Sequence, residues 1–138
     1  GHLEVNNEFG GLPLTKEKYD GKIRAKRISS DYEQLNTVIG IVATNAPLNR
    51  LQLKRLSIMC HGSIAKSIHP SHTPMDGDTI FAISTSDKSC YISEEINKLD
   101  LTVINTIASD TFSRACNRAI FEAENIGEKP SWKDLFKN

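Results

Sequence analysis

The chain has 138 residues, 38% of them hydrophobic, and its 17 basic and 17 acidic side chains cancel to a formal net charge of zero. That length suits one domain burying roughly two thirds of its unfolded surface, enough for a real core. Balanced charge supplies no positive field for a nucleic acid and no basic amphipathic helix for a membrane surface, and no apolar run approaches the roughly 18 residues of a membrane span.

Residues 1–36 read as a connecting segment. Gly10, Gly11, Pro13 and Gly21 punctuate it, and lysines and arginines between Lys16 and Arg27 make it basic. Its sparse apolar residues suggest at most short strands near Leu3 to Asn6 and near Lys22 to Ile28. The basic cluster reads as the solvated face of a long loop. From Thr37 the signal sharpens: Val38, Ile39, Ile41, Val42 and Ala43 form a β-branched apolar block that predicts a buried strand over Thr37 to Thr44. Gly40 within it suggests close approach of another backbone. A helix follows, with Asn49 as N-cap and Leu53, Leu56, Cys60, Ile64 and Ile68 on its apolar face; Arg50, Lys54, Arg55 and Lys66 fall on the wet side and Pro70 ends it.

The loop His69 to Gly77 leads into a second buried strand, Thr79 to Thr85, and a polar hairpin-like stretch continues through Ser93. A long helix is predicted from about Leu99 to Asn125, with Val103, Ile104, Ile107, Phe112, Ala115, Ala119 and Ala123 as its stripe and with Gly127 and Pro130 as its stop. Trp132 is expected to pack a terminal turn onto the body. The order strand, helix, strand, helix, with strands apolar on both faces, suggests a layered α/β or α+β domain. Cys60, Cys90 and Cys116 are odd in number and form no CxxC pattern. They fit reduced thiols, Cys60 and Cys116 in the core, of a cytoplasmic protein. The first residues lack the basic start and apolar core of a signal peptide.

Two short motifs carry chemistry. At the mouth of the first strand stands Asn36-Thr37. A Thr placed at a chain break can use its hydroxyl as nucleophile and its freed α-amine, pKa roughly 7.7 to 8.0, as base without any His. Asn-Thr is also a common pair, and Thr a favoured strand opener. The acidic turn Asp76-Gly77-Asp78 opens the second strand. Two carboxylates flanking a Gly can orient an ammonium or a hydroxyl and raise one another's pKa, although Asp and Gly also make plain turns. His69, His72, Asp76 and Asp78 lie close together but match no metal-ligand spacing, so no metal is assigned. His61 on a helix face has no paired nucleophile and reads as a boundary residue.

The stretch NTVIGIVATNAPLNRLQLKRL, followed by HPSHTPMDGDTIFAIST, resembles the self-processing peptidase family that includes β-peptidyl aminopeptidases, L-aminopeptidase/D-esterase enzymes and nylon-oligomer hydrolases. The resemblance covers about Leu35 to Glu122 and is most specific from His72 to Thr79. It implies an α+β fold that is part of a four-layer αββα sandwich of the N-terminal-nucleophile-like type, two sheets packed face to face with helices outside. It implies autocatalytic cleavage between Asn36 and Thr37, with Thr37 then the nucleophile, Asp76 and Asp78 supporting processing and activity, and His72, Thr73 and Gly77 shaping the active-site loop. Residues 37–138 become the catalytic C-terminal segment.

Family members are much longer, and their upstream portion supplies half the sandwich and most oxyanion donors. The implied partners are therefore that upstream portion, a small peptide or amide substrate and further copies in a homo-oligomer. No cofactor, nucleic acid or membrane is implied. The related ornithine acetyltransferases also self-cleave before a Thr but pass the acyl group to an amine. HTPMDGD favours the peptidase, and a non-catalytic fragment is the third reading.

Overall fold

The computed structural model describes residues 6–9, 37–74, 76–87 and 96–136. Asn36, Cys90, the strand expected near Lys22, nearly all of the one near Leu3 and most of the hairpin-like stretch lie outside those residues. The β-branched blocks form two strands, β1 (Ile39–Thr44) and β2 (Thr79–Ser84), paired parallel with Ile39 opposite Thr79 and Thr44 opposite Ser84. Parallel neighbours need a crossover, and α1 (Arg50–Ser67) supplies it. Asn49 starts α1 as expected: its side chain accepts from the Gln52 amide at 3.0 Å, while the Gln52 side chain accepts from the Asn49 amide at 2.9 Å. Such a reciprocal cap typically stabilises a helix by about 1 kcal/mol. Ile68, expected on the apolar face, is instead the extended C-cap and is exposed.

A second long helix, α2 (Lys98–Glu122), lies against α1 and is followed by the short α3 (Trp132–Phe136). The architecture is α+β: a small parallel sheet with α1 and α2 on one face. Leu48, Leu56, Cys60, Ile64, Ile80, Ala108 and Phe112 form the core. Burial alternates along both strands, so Gly40 and Val42 in β1, and Ile80 and Ala82 in β2, face the helices. A Cβ built on Gly40 would collide with the Phe112 ring. The close approach foreseen at Gly40 is thus by an aromatic side chain and not by a backbone. Among the described residues nothing covers the opposite sheet face, where Ile39, Ile41, Phe81 and Ile83 are 41–73% exposed. The strands are therefore buried on one face, not both.

The stripe of α2 also differs from expectation. Val103 and Ile107 point outward, and Ala115, Ala119 and Ala123 are exposed. The buried positions are Asn105, Ala108, Ser109, Phe112 and Ser113. Serine makes this possible, because its small side chain lets two helices approach and its hydroxyl finds a partner inside. The Ser63 hydroxyl donates to the Ser109 carbonyl at 2.7 Å and meets the Ser109 hydroxyl at 2.7 Å, while the Ser67 hydroxyl donates to the Ser113 carbonyl at 3.2 Å. The two pairs advance together, so α1 and α2 run parallel. Helix α2 stops before Gly127, which at φ 57° forms the turn between bridged Ile126 and Lys129.

The C-terminal half of α2 holds two outlying pieces. The Glu8 carboxylate accepts from Arg114 Nε at 2.8 Å and from Nη2 at 2.7 Å, and pushes that guanidinium's pKa further up through hydrogen bonding and charge. Phe9 packs 5.4 Å from the Phe121 ring, and Trp132 packs 5.7 Å from it on the α3 side. Among the described residues no helix is long and apolar enough to cross a membrane.

Candidate active site

Parallel register brings the two chemical motifs together. With Ile39 opposite Thr79, stepping back along both strands sets Val38 beside Asp78 and Thr37 beside Gly77. The contacts follow that geometry. The Val38 carbonyl accepts from the Thr79 amide at 2.9 Å, and the Val38 amide donates to Asp78 Oδ1 at 3.0 Å. A Cβ added to Gly77 would stand 3.2 Å from Thr37 Oγ1, so a residue without a side chain is what admits the Thr hydroxyl here. Thr37 itself is exposed.

Asp78 is the buried carboxylate of the site, its side chain only 6% exposed. Its second oxygen, Oδ2, faces His72 Nδ1 at 3.2 Å. His72 sits in the left-handed region at φ 55°, a conformation that His tolerates better than most side chains. That backbone turn aims the ring back across α1, where Nε2 lies 3.0 Å from the His61 carbonyl oxygen and the His61 ring stands 5.3 Å away. Asp76 does a different job. Its Oδ2 accepts from the Thr73 amide at 2.7 Å, and its own amide donates to the Thr73 carbonyl at 2.9 Å, closing the loop between them. Thr79 Oγ1 donates to the Gly77 carbonyl at 3.1 Å and stiffens the entry to β2.

Of the residues expected at the site, Thr37, His72, Gly77 and Asp78 are drawn together, and Thr73 and Asp76 form the loop beside them. Asn36 lies outside the described residues. His61 was not expected there. It contributes mainly a backbone carbonyl, which no residue type announces. Cys60 and Cys116 are poor rivals as nucleophiles, because burial pushes both thiols up and keeps them protonated. Among the described residues no cluster of His, Cys, Asp and Glu could hold a metal ion. An open groove of about 500 Å³ between α1 and β2, lined by Arg50, Lys54, Ile80 and Phe81 among others, includes neither Thr37 nor Asp78.

Comparison with known proteins places the chain in a family. The model of peptidase family S58 matches residues 2–131. An uncharacterized aminopeptidase of Mycobacterium leprae is 31% identical over 141 aligned residues, covering 96% of this chain and 38% of the relative. Another, from Mycobacterium bovis, is 31% identical over 109 residues, or 73% of this chain and 31% of the relative. A 6-aminohexanoate-oligomer endohydrolase of Paenarthrobacter ureafaciens is 35% identical over 63 residues, covering 46% of this chain and 18% of that enzyme. The chain thus spans well under half the length of these curated relatives. No solved structure matches it significantly. With a family model that covers nearly the whole chain, this chain belongs to peptidase family S58.

Proposed function

We propose that this chain carries the nucleophile of a self-processing amidohydrolase, an aminopeptidase acting on small peptides or amides. The observation that carries the reading is the seat of Thr37: its hydroxyl rests against Gly77 while Asp78 fixes the amide of the next residue. In the first step Thr37 Oγ attacks the Asn36 carbonyl carbon. The C–N bond to Thr37 breaks, the nitrogen takes the hydroxyl proton, and an ester links Asn36 to Oγ. Water then hydrolyses that ester, releasing the Asn36 carboxylate and leaving Thr37 with a free α-amine and hydroxyl. In turnover the α-amine accepts the hydroxyl proton as Oγ attacks a substrate amide, returns it to the leaving amine, and assists water in deacylation. Relatives named as aminopeptidases and an oligomer endohydrolase favour water over an amine as the acyl acceptor.

The uncovered sheet face supports a larger assembly. Fully burying an Ile or Phe side chain contributes about 1.5–3 kcal/mol, and four such residues, Ile39, Ile41, Phe81 and Ile83, stand exposed on one face. We infer that the upstream portion of the same enzyme lays its own sheet there, completing the αββα sandwich and supplying oxyanion donors. The length of the relatives beyond this chain leaves room for it. An assay of the full-length protein on aminoacyl anilides tests the function. Wild type is expected to release the aniline, and Thr37→Ala to lose that release by several orders of magnitude. Equal release from both would overturn Thr37 as the nucleophile.

A further inference from the structure

In the β1–β2 ladder only alternate residues of each strand exchange hydrogen bonds. The Thr79 and Thr85 amides donate to the Val38 and Thr44 carbonyls at 2.9 and 2.8 Å, so Thr79, Phe81 and Ile83 turn their backbone groups toward β1. Those of Ile80 and Ala82 point the other way. Among the described residues β2 has no strand on that side, which leaves an open row of donors and acceptors of the kind that proteins pair or cover. Along this edge runs the groove of about 500 Å³, and Arg50, Leu53 and Lys54 of α1 form its other wall. Among the described residues no acidic side chain lines it. The lysine and arginine ion pairs among those residues use Lys66, Arg114, Arg118 and Lys133, so the charges of Arg50 and Lys54 stand uncompensated. Arg50 also opens α1, whose first turn carries no acidic residue, and the helix dipole adds to the positive field there.

We propose that the outer edge of β2 takes one extended strand from the upstream portion of the same enzyme, a strand that alternates apolar with polar side chains and turns at least one carboxylate toward Arg50 and Lys54. The proposal rests on the reading that an upstream portion completes the sandwich, and it says where that portion joins this sheet in plane and with what chemistry. Main-chain bonds to Ile80 and Ala82 give such a strand its affinity, and its alternate side chains give it specificity. One set faces α1 and meets the two cations. The other set extends the apolar face of Ile39, Ile41, Phe81 and Ile83. A second copy fits the edge poorly. Joined antiparallel through β2, both copies of α1 would lie on the same side of the continuous sheet, setting Arg50 and Lys54 against their own counterparts, and like charges oppose that pairing. A segment of the same polypeptide has the further advantage of high effective concentration, and the relatives are long enough beyond this chain to supply it.

The test is amide hydrogen exchange, read residue by residue, on the full-length protein. The Ile80 and Ala82 amides are expected to exchange on the order of 100-fold slower than freely exposed ones, as paired strand amides do. Exchange at the open-edge rate would overturn the proposal. A photoreactive amino acid in place of Lys54 identifies the occupant. Cross-links to an upstream stretch of the same polypeptide are expected, whereas cross-links to a second copy, to a different protein or to nothing would contradict it. Lys54→Glu should then speed exchange at Ile80 and Ala82 about tenfold, and reversing the charge of the carboxylate in the cross-linked stretch should restore the slow rate. Unchanged exchange in Lys54→Glu would rule out the carboxylate contact. A second photoreactive probe in place of Ile41 separates this inference from the reading beneath it. Upstream cross-links from position 41 but none from position 54 would overturn the edge strand and leave the sandwich standing; none from either position would sink both.

Discussion

The Asp78 carboxylate holds the Val38 amide at 3.0 Å across 40 residues of chain, joining the mouths of two parallel strands at the point where Thr37 begins. The contact is part-buried, and its carboxylate is almost wholly so. Removing the acceptor strands a backbone donor, which typically costs about 1–3 kcal/mol. Asp78→Ala is therefore expected to lower the free energy of urea unfolding by an amount in that range, with cleavage lost as well. Unchanged stability would mean that the amide finds another partner.

Gly77 makes a sharper prediction. A Cβ there stands 3.2 Å from Thr37 Oγ1, tighter than ordinary contact. Gly77→Ala should push the hydroxyl aside and slow cleavage on the order of 10- to 100-fold, while the urea midpoint moves little. Cleavage at the normal rate would show that the hydroxyl does not use this seat.

Gly40 tests the packing of the sheet on α2. Its Cβ would run into the ring of Phe112, and overpacking of this kind typically costs about 1–3 kcal/mol. Gly40→Ala should destabilise the fold by that order, and adding Phe112→Leu should recover part of the loss. Losses that simply add would place the strain elsewhere.

The thiols give a pH dependence with a definite sign. Burial raises the folded-state pKa of Cys60 and Cys116, so the folded state favours the protonated thiol. That contribution is fully present below the unfolded thiol pKa, about 8.5, and is lost as pH rises through the folded values. Urea midpoints should fall across that alkaline range, and Cys60→Val should flatten the fall. An identical alkaline slope in the variant would assign the loss to other groups.

Much of this arrangement could be read before any coordinates. Asn49 with Gln52 marks a helix start by side-chain chemistry alone, and Leu56, Cys60 and Ile64 mark a buried face by spacing. Helix α2 misleads because hydrophobicity and burial part company there: Ser109 and Ser113 are inside, where the close α1 contact wants small, hydrogen-bonded groups, while Val103 and Ile107 face outward. The apolar pattern of Ile39, Ile41, Phe81 and Ile83 does call for burial on a second face, yet a pattern cannot say which chain provides the cover. At the site, Thr37 and the Asp76-Gly77-Asp78 turn were visible as residue types. The register that sets Val38 beside Asp78 was not, since it depends on how two strands align. Nor was the role of His61, which enters through its carbonyl oxygen.

The most direct test of Thr37 as the self-cleaving nucleophile is the intact mass of purified full-length protein, as wild type and as Thr37→Ala. Wild type should appear as two chains that meet between Asn36 and Thr37, and Thr37→Ala as one uncut chain, because the variant lacks the hydroxyl that attacks. Cleavage of Thr37→Ala at that same bond, to the same extent as wild type, would contradict the account.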